Sequence, residues 1–157
     1  MKTLIKNGTL VTAESSFQAD LLIEGEHIIQ IAPSIEAADA EVVDASGQLV
    51  LPGGIDAHVH INLPMGETVS SDDYYTGSKA AAFGGTTTLI DFVSQDPGSL
   101  AENVAHKRAE AEGKAAIDYS LHMNITRFDE AVAEELADLP SLGIRSIKVF
   151  TAYNNRL

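Results

Sequence analysis

The chain has 157 residues, of which 45% are hydrophobic and 21% charged, a globular composition that excludes wholesale disorder. Its formal net charge of −13 argues against nucleic acids and anionic membrane surfaces as partners, because both are negatively charged. The absence of cysteine excludes disulfides, zinc fingers and a thiol nucleophile, and leaves histidines and carboxylates as the usual metal ligands.

We expect no targeting signal in the first residues. Only two consecutive apolar residues, Leu4 and Ile5, precede the charge of Lys6, which is too short for the core of a signal peptide. No apolar run approaches the roughly 18 residues of a membrane-spanning helix. We therefore expect a soluble, cytoplasmic protein.

Residues 1–52 are predicted to form a small β-rich unit. Asn7-Gly8 between two apolar triplets is a strong hairpin signal. A second hairpin is expected around Gly25, between strands at 21–23 and 27–31, and a third turn at 45–47 between strands at 41–44 and 48–50. We expect this domain to be part of an antiparallel β-sandwich.

From residue 53 onward, strands and helices alternate. Strands are predicted at 55–61, 86–93, 117–125 and 144–152, and helices at 72–83, 100–113 and 129–142, with Thr126 as a candidate N-cap of the last helix. Such an alternation predicts a parallel sheet covered by helices.

The number of strands leaves two architectures open. Four βα strands take up close to half of the roughly 250 residues of a (β/α)₈ barrel. The second domain, 53–157, is therefore either a small open α/β sheet or the first half of a barrel.

The sequence Asp56-Ala57-His58-Val59-His60 is the most informative stretch. In a strand, residues two apart point to the same side, so His58 and His60 are expected to project together and to bind one divalent cation. The pair lies at the C-terminal end of the first predicted βα strand, where barrels build their active sites. For Asp56 we favour a buried structural hydrogen bond over a role beside the metal.

Lys148 is the second candidate. Alternation along 144–152 places Ser146, Lys148 and Phe150 on the side opposite Ile147 and Val149, toward a barrel interior. An unpaired ammonium there would be costly to desolvate. Three explanations remain open: an ion pair with an inward carboxylate, a neutral lysine of depressed pKa, and carbamylation by CO₂ to give an anionic metal ligand.

Residues 52–60 (PGGIDAHVH), preceded by a β-rich unit that contains Lys6-Asn7-Gly8, resemble the cyclic amidohydrolases of the amidohydrolase superfamily. Within that group, residues 63–66, 71–73, 80–88 and 148–153 resemble the dihydropyrimidinases, also called D-hydantoinases. The resemblance covers essentially the whole chain. Dihydroorotases and allantoinases typically continue the His-x-His with Arg-Glu-Pro or Asn-Glu-Pro, whereas this chain has Ile61-Asn62-Leu63-Pro64, which ranks them second.

The resemblance implies roles for particular residues. His58 and His60 would bind the more buried of two divalent ions, with zinc as the expected metal, and carbamylated Lys148 would bridge the two. Tyr153 would be catalytic and substrate-binding, its hydroxyl stabilising the developing oxyanion. The positions that would line the substrate pocket are Leu63, Met65 and Phe150.

The family places a catalytic Asp and two further His ligands on strands five to eight, beyond these four strands. The remaining histidines, His27, His106 and His122, are interpreted as structural.

The resemblance thus implies the N-terminal part of an enzyme that hydrolyses 5,6-dihydropyrimidines or 5-substituted hydantoins to N-carbamoyl amino acids. Its expected partners are a small cyclic amide and further copies of itself, as a tetramer, without nucleic acid or membrane. The alternatives are a non-catalytic homologue, another cyclic amidohydrolase and a small binding module. Residues 1–157 alone are expected to be inactive and poorly stable, because an unclosed barrel leaves a strand edge unpaired.

Overall fold

The computed structural model describes residues 1–152. The chain divides into two compact units, Met1–Pro52 and Gly53–Leu157. The strands are β1 (Lys2–Val11), β2 (Ser16–Glu24), β3 (His27–Ala32), β4 (Ala40–Asp44), β5 (Leu49–Val50), β6 (Gly54–Asp56), β7 (Pro64–Met65), β8 (Thr68–Val69), β9 (Thr86–Val93), β10 (Asp118–Ile125) and β11 (Ile147–Val149). The helices are α1 (Tyr74–Phe83), α2 (Leu100–Ala111), α3 (Glu130–Asp138) and a 3₁₀ helix, Leu139–Leu142. Within the described residues, no helix has the length and apolar character needed to cross a membrane.

The N-terminal unit is a five-stranded mixed sheet. Its strand order is β3-β2-β1-β4, and β5 also pairs with β1. Strand β2 is antiparallel to both β1 and β3, and the predicted β2–β3 hairpin is confirmed, with Gly25 in the left-handed region at φ 59°. Strands β4 and β5 run parallel to β1. The expectation of a purely antiparallel unit is therefore wrong.

The predicted hairpin at Asn7-Gly8 is wrong, because β1 runs straight through it with a bulge. Asn7 adopts φ 63°, and its N–H donates to the carboxylate of Asp20 at 2.9 Å. Its side-chain amide donates to Asp44 Oδ1 at 3.0 Å. Since Asp20 and Asp44 lie on the two neighbouring strands, they satisfy the polar groups of the bulge while the chain stays extended.

The third predicted turn does not form a hairpin either. The Ala45 N–H donates to the Lys6 carbonyl at 2.9 Å, and the Thr9 N–H donates to the Gln48 carbonyl at 3.0 Å. The loop between β4 and β5 therefore stays along the same edge of β1. The two short strands pair with successive parts of that strand in the same direction.

The C-terminal unit is an α/β fold, as predicted. Its sheet has the order β11-β10-β9-β6, and all four strands are parallel. One helix follows each of the first three strands of this sheet along the chain. Outside the main sheet, β7 and β8 form a small antiparallel hairpin.

Several predicted boundaries shift. The strand expected at 55–61 is regular only over Gly54–Asp56, and the strand expected at 144–152 only over Ile147–Val149. Helix α3 ends at Asp138 and continues as the 3₁₀ helix, whose first turn contains a proline. Proline lacks the N–H that a continued α-helix would need.

The N-cap of α3 is Asp129, not the predicted Thr126. The Asp129 carboxylate accepts the Val132 N–H at 3.0 Å, which satisfies one of the free donors of the first helical turn. Thr126 instead donates its N–H to Gln95 Oε1 at 2.8 Å. Thr126 therefore contacts Gln95 in a loop and does not cap the helix.

The core of the C-terminal unit lies between the sheet and its helices. One cluster joins β9 and β10 to α2 and α3, with Val104 and Met123 almost completely buried. A second cluster surrounds Tyr74 and Leu89 under α1. Full burial of side chains of this size contributes about 1.5–3 kcal/mol each. The opposite face of the sheet is therefore the one left for chemistry.

Candidate metal and substrate site

His58 and His60 lie side by side at the carboxyl end of β6. Their ring centroids are 5.2 Å apart, and both rings contact Phe92, at 4.6 and 4.8 Å between centroids. Regular strand structure has already ended at Asp56, so alternation along a strand does not account for the arrangement.

The segment that carries the two histidines has no regular strand pairing, and individual hydrogen bonds fix its position instead. The Asp56 carboxylate accepts the His58 N–H at 3.1 Å, and the Val59 N–H donates to the Ile90 carbonyl on β9 at 3.2 Å. The predicted structural hydrogen bond of Asp56 is thus present. The expectation that Asp56 is buried is wrong, since the residue is exposed.

Lys148 lies on the same face of the sheet. Its Nζ is 4.3 Å from the centroid of the Phe92 ring and 5.1 Å from that of Phe150, distances typical of cation–π contacts. Within residues 1–152, no carboxylate forms an ion pair with Lys148. Of the three explanations for this lysine, an ion pair with an inward carboxylate finds no support in the described part of the chain.

The surroundings of His60 favour the neutral form of its imidazole. Partial burial lowers the pKa of this group, and the nearby charge of Lys148 lowers that pKa further. A neutral imidazole keeps a free nitrogen lone pair at neutral pH, which is the form that binds metal.

Phe92 and His122 share this face, although the sequence pattern did not single out Phe92 and indicated a structural role for His122. Phe92 is 8% exposed, and its register partner His122 lies 5.0 Å away between ring centroids. One His122 nitrogen is 3.0 Å from the Ala57 carbonyl oxygen, and the other hydrogen-bonds the Ser146 hydroxyl. His122 therefore links β10 to the chain just before His58.

The candidate pocket residues separate in the structure. Leu63 and Phe150 line an open cavity of about 430 Å³ together with His60 and Lys148. Met65 lies in the β7–β8 hairpin, is 55% exposed, and is not part of that lining. Tyr153 lies outside the described residues.

The donor set fits part of a metal centre. Two imidazoles are the ligand type that zinc prefers, but a zinc site takes about four ligands. Among residues 1–152 there is no group of three or more His, Asp, Glu or Cys side chains able to hold a metal. A carbamylated Lys148 would add oxygen ligands on the same face, so the residues present are compatible with a metal centre and supply a fraction of it.

A parallel sheet with covering helices and candidate ligands at the carboxyl ends of its strands is the arrangement of enzymes of the (β/α)₈-barrel type. Residues 49–150 match the model of the amidohydrolase family. The chain belongs to this family.

Within the family, the chain is similar to hydantoinases and dihydropyrimidinases. It is 46% identical over 157 residues to the D-hydantoinase of Geobacillus stearothermophilus, covering 99% of this chain and 33% of that protein. It is 45% identical over 155 residues to the dihydropyrimidinase of Dictyostelium discoideum, covering 97% and 31%.

The crystal structure of dihydropyrimidinase from Brevibacillus agri superimposes with a TM-score of 0.94 at 49% identity, over 99% of this chain and 34% of that one. The α/β fold with its parallel half-barrel sheet therefore matches the N-terminal part of these enzymes. The chain spans about a third of the length of the curated relatives it matches.

Proposed function

We propose that this chain provides the N-terminal third of a dihydropyrimidinase or D-hydantoinase, a hydrolase of cyclic amides. The reaction is the opening of 5,6-dihydropyrimidines or 5-substituted hydantoins to N-carbamoyl amino acids. The observation that carries the proposal is the packing of His58, His60 and Lys148 around Phe92 on one face of the sheet. We use "complete enzyme" for this chain together with the remaining two thirds of its relatives' length.

In the complete enzyme, residues 53–157 form the first half of a (β/α)₈ barrel and residues 1–52 part of a β-sandwich. The support for the barrel is the all-parallel sheet, whose strands β6 and β11 each pair on one side within the described residues. Barrels close by pairing such edges.

His58, His60 and Lys148 would hold two divalent ions, with zinc as the expected metal. Lys148 reaches its ligand form when its neutral amine adds to the carbon of CO₂, which forms an N–C bond and releases one proton. The product is an anionic carbamate. When bound, the two ions would lower the pKa of a water molecule and polarise the substrate carbonyl.

The remaining assignments concern the substrate. Phe92 excludes water beneath the two imidazoles, and the Tyr153 hydroxyl donates a hydrogen bond to the oxyanion that develops during ring opening. The side chains proposed to contact the exocyclic substituent are Leu63, Met65 and Phe150. The acid–base carboxylate belongs to the remainder of the enzyme.

The setting proposed for the complete enzyme is a cytoplasmic homo-oligomer, a tetramer as in the family it resembles. The net charge of −13 supports a small-molecule partner over nucleic acid or an anionic membrane.

The test of this proposal is the substrate range of the complete enzyme loaded with zinc. We expect hydrolysis of dihydrouracil and of a 5-substituted hydantoin, with an N-carbamoyl amino acid identified as the product by mass spectrometry. Faster hydrolysis of dihydroorotate or allantoin would reassign the enzyme within the family. No hydrolysis of any of the four by a metal-loaded, folded protein would favour the non-catalytic homologue.

A further inference from the structure

A charged pair lies inside the layer between the sheet and its helices. Asp91 on β9 is 1% exposed, and its Oδ2 is 3.2 Å from the Nζ of Lys107 on α2. Its neighbours on the same face of β9, Leu89 and Val93, belong to the apolar core. Because burying two charges costs free energy that their attraction does not always recover, the pair calls for a reason beyond packing.

Both partners of the pair have further hydrogen bonds. Asp91 Oδ2 accepts the Tyr74 hydroxyl at 2.8 Å, and Oδ1 accepts the Phe92 N–H at 2.7 Å. Burial and the Asp91 charge raise the pKa of the Tyr74 hydroxyl, so this group remains a donor. Lys107 also contacts Glu110 Oε2 at 3.2 Å. The network is thus built to hold its members in fixed positions.

The pair forms hydrogen bonds with both backbone groups of a single residue, Ile61. The Lys107 ammonium donates to the Ile61 carbonyl at 2.7 Å, and the Ile61 N–H donates to Asp91 Oδ1 at 3.4 Å. Ile61 directly follows His60, in a stretch that no longer has a strand ladder. The next residue, Asn62, adopts φ 52° and donates its side-chain amide to Glu110 at 3.3 Å.

We propose that Asp91 and Lys107 are positioning residues: they clamp the Ile61 backbone and thereby hold the His60 imidazole in its metal-binding position. The inference rests on the metal site proposed above. Residues that orient a metal ligand typically change metal affinity 10–100-fold when they are replaced.

The experiment compares variants of the metal-free complete enzyme by titration with Co²⁺, followed by the visible absorption of the bound ion. Asp91→Asn removes one charge at constant size. The double variant Asp91→Asn/Lys107→Met removes both charges and leaves no unpaired buried ion, so it keeps the test open if the single variant does not fold.

The matched control is Asp20→Asn. Asp20 is likewise buried and close to a lysine, and its partners Asn7, Ile35 and Lys6 belong to the N-terminal unit. We expect the Asp91 variants to bind Co²⁺ about 10–100-fold more weakly, with a changed absorption spectrum. Asp20→Asn should change thermal stability alone. Wild-type affinity and spectrum in the double variant, or equal losses in Asp20→Asn, would overturn the proposal.

A crystal structure of the metal-free double variant separates this inference from the proposed function. If even the wild-type enzyme binds no Co²⁺ at His58 and His60, the metal site is wrong. The positioning role is then tested by the position of the His60 ring in the crystal structure of the variant. Displacement of this ring from Phe92, with the His58 ring unmoved, supports the role, and an unmoved His60 ring refutes it.

Discussion

The two units of the chain contain the same arrangement of side chains around different segments. In each unit, a buried aspartate and a lysine form hydrogen bonds with both backbone groups of a buried isoleucine. In the N-terminal unit, Asp20 accepts the Ile35 N–H at 2.9 Å while Lys6 donates to the Ile35 carbonyl at 3.1 Å. In the C-terminal unit, Asp91 and Lys107 do the same to Ile61.

The difference lies in the neighbours of each clamp. Asp20 also holds the Asn7 bulge of β1, so its clamp fixes the course of a scaffold strand. The Asp91 clamp holds the residue after His60, in the irregular segment beyond β6 that carries the two candidate metal ligands. A buried ion pair is therefore not a functional signal by itself; the residue beside the clamped backbone decides its role.

The largest expected effect is the loss of metal binding and turnover when the two candidate ligands of the C-terminal unit are replaced. Replacing His58 and His60 together with alanine in the complete enzyme should abolish both bound zinc and turnover, because each imidazole is proposed to supply a metal ligand. Metal content by mass spectrometry and dihydrouracil hydrolysis measure the two losses.

The matched control is the double variant His27→Ala/His106→Ala, which removes the same number of imidazoles from exposed positions. It should keep zinc and activity. Full zinc content in the His58/His60 variant would remove the functional contrast between the two units.

A smaller effect is expected from the Tyr74 hydroxyl that supports the Asp91 clamp. Tyr74→Phe deletes a hydrogen bond to a buried carboxylate, and such bonds contribute about 1.5–3 kcal/mol to the free energy of unfolding. Tyr75→Phe is the neighbouring control, since Tyr75 is 51% exposed, and its change should stay within about 0.5 kcal/mol. Urea unfolding of the complete enzyme measures both; equal changes in the two variants would show that the Tyr74 bond adds nothing to the clamp.

The smallest expected effect is a pH dependence of the N-terminal clamp. The N–H groups of Asn7 and Ile35 hold the pKa of the Asp20 carboxyl below its usual value of about 3.9. The unfolded state therefore binds the proton more tightly than the folded state. The stabilisation is complete above about pH 5 and declines as the pH falls through the lowered pKa.

Thermal unfolding of the wild type and of Asp20→Asn at pH 7 and pH 3 tests this dependence. The wild type should be the more stable protein at pH 7, and the difference should shrink at pH 3. A difference that does not vary with pH would mean that the Asp20 charge plays no part in the clamp.

Local sequence patterns predicted the elements whose causes are local. The strand Thr86–Val93 has the predicted bounds, and α2 begins at the predicted residue because Ser99 and Glu102 form a capping box there. The Asn7-Gly8 turn signal misled because the groups that satisfy Asn7, Asp20 and Asp44, are far away in sequence.

The candidate site was predictable in part. His58 and His60 could be found from their His-x-His spacing, although the regular strand that was expected to align them ends at Asp56. The Asp91–Lys107 clamp left a fainter signal: a charged residue interrupts the apolar strand β9, and Lys107 falls on the buried stripe of α2 with Leu100, Val104 and Ala111. Pairing Asp91 with Lys107 requires knowledge of how α2 is placed against the sheet, and no local sequence pattern contains that information.

The most direct measurement of the central claim is anomalous X-ray diffraction at the zinc edge from crystals of the complete enzyme grown with zinc and bicarbonate. The account predicts two zinc peaks, one of them about 2.0–2.1 Å from a nitrogen of His58 and of His60, and density for a carboxylate on Lys148 Nζ between the two. Zinc bound elsewhere, or an unmodified Lys148 beside a fully occupied metal site, would contradict it.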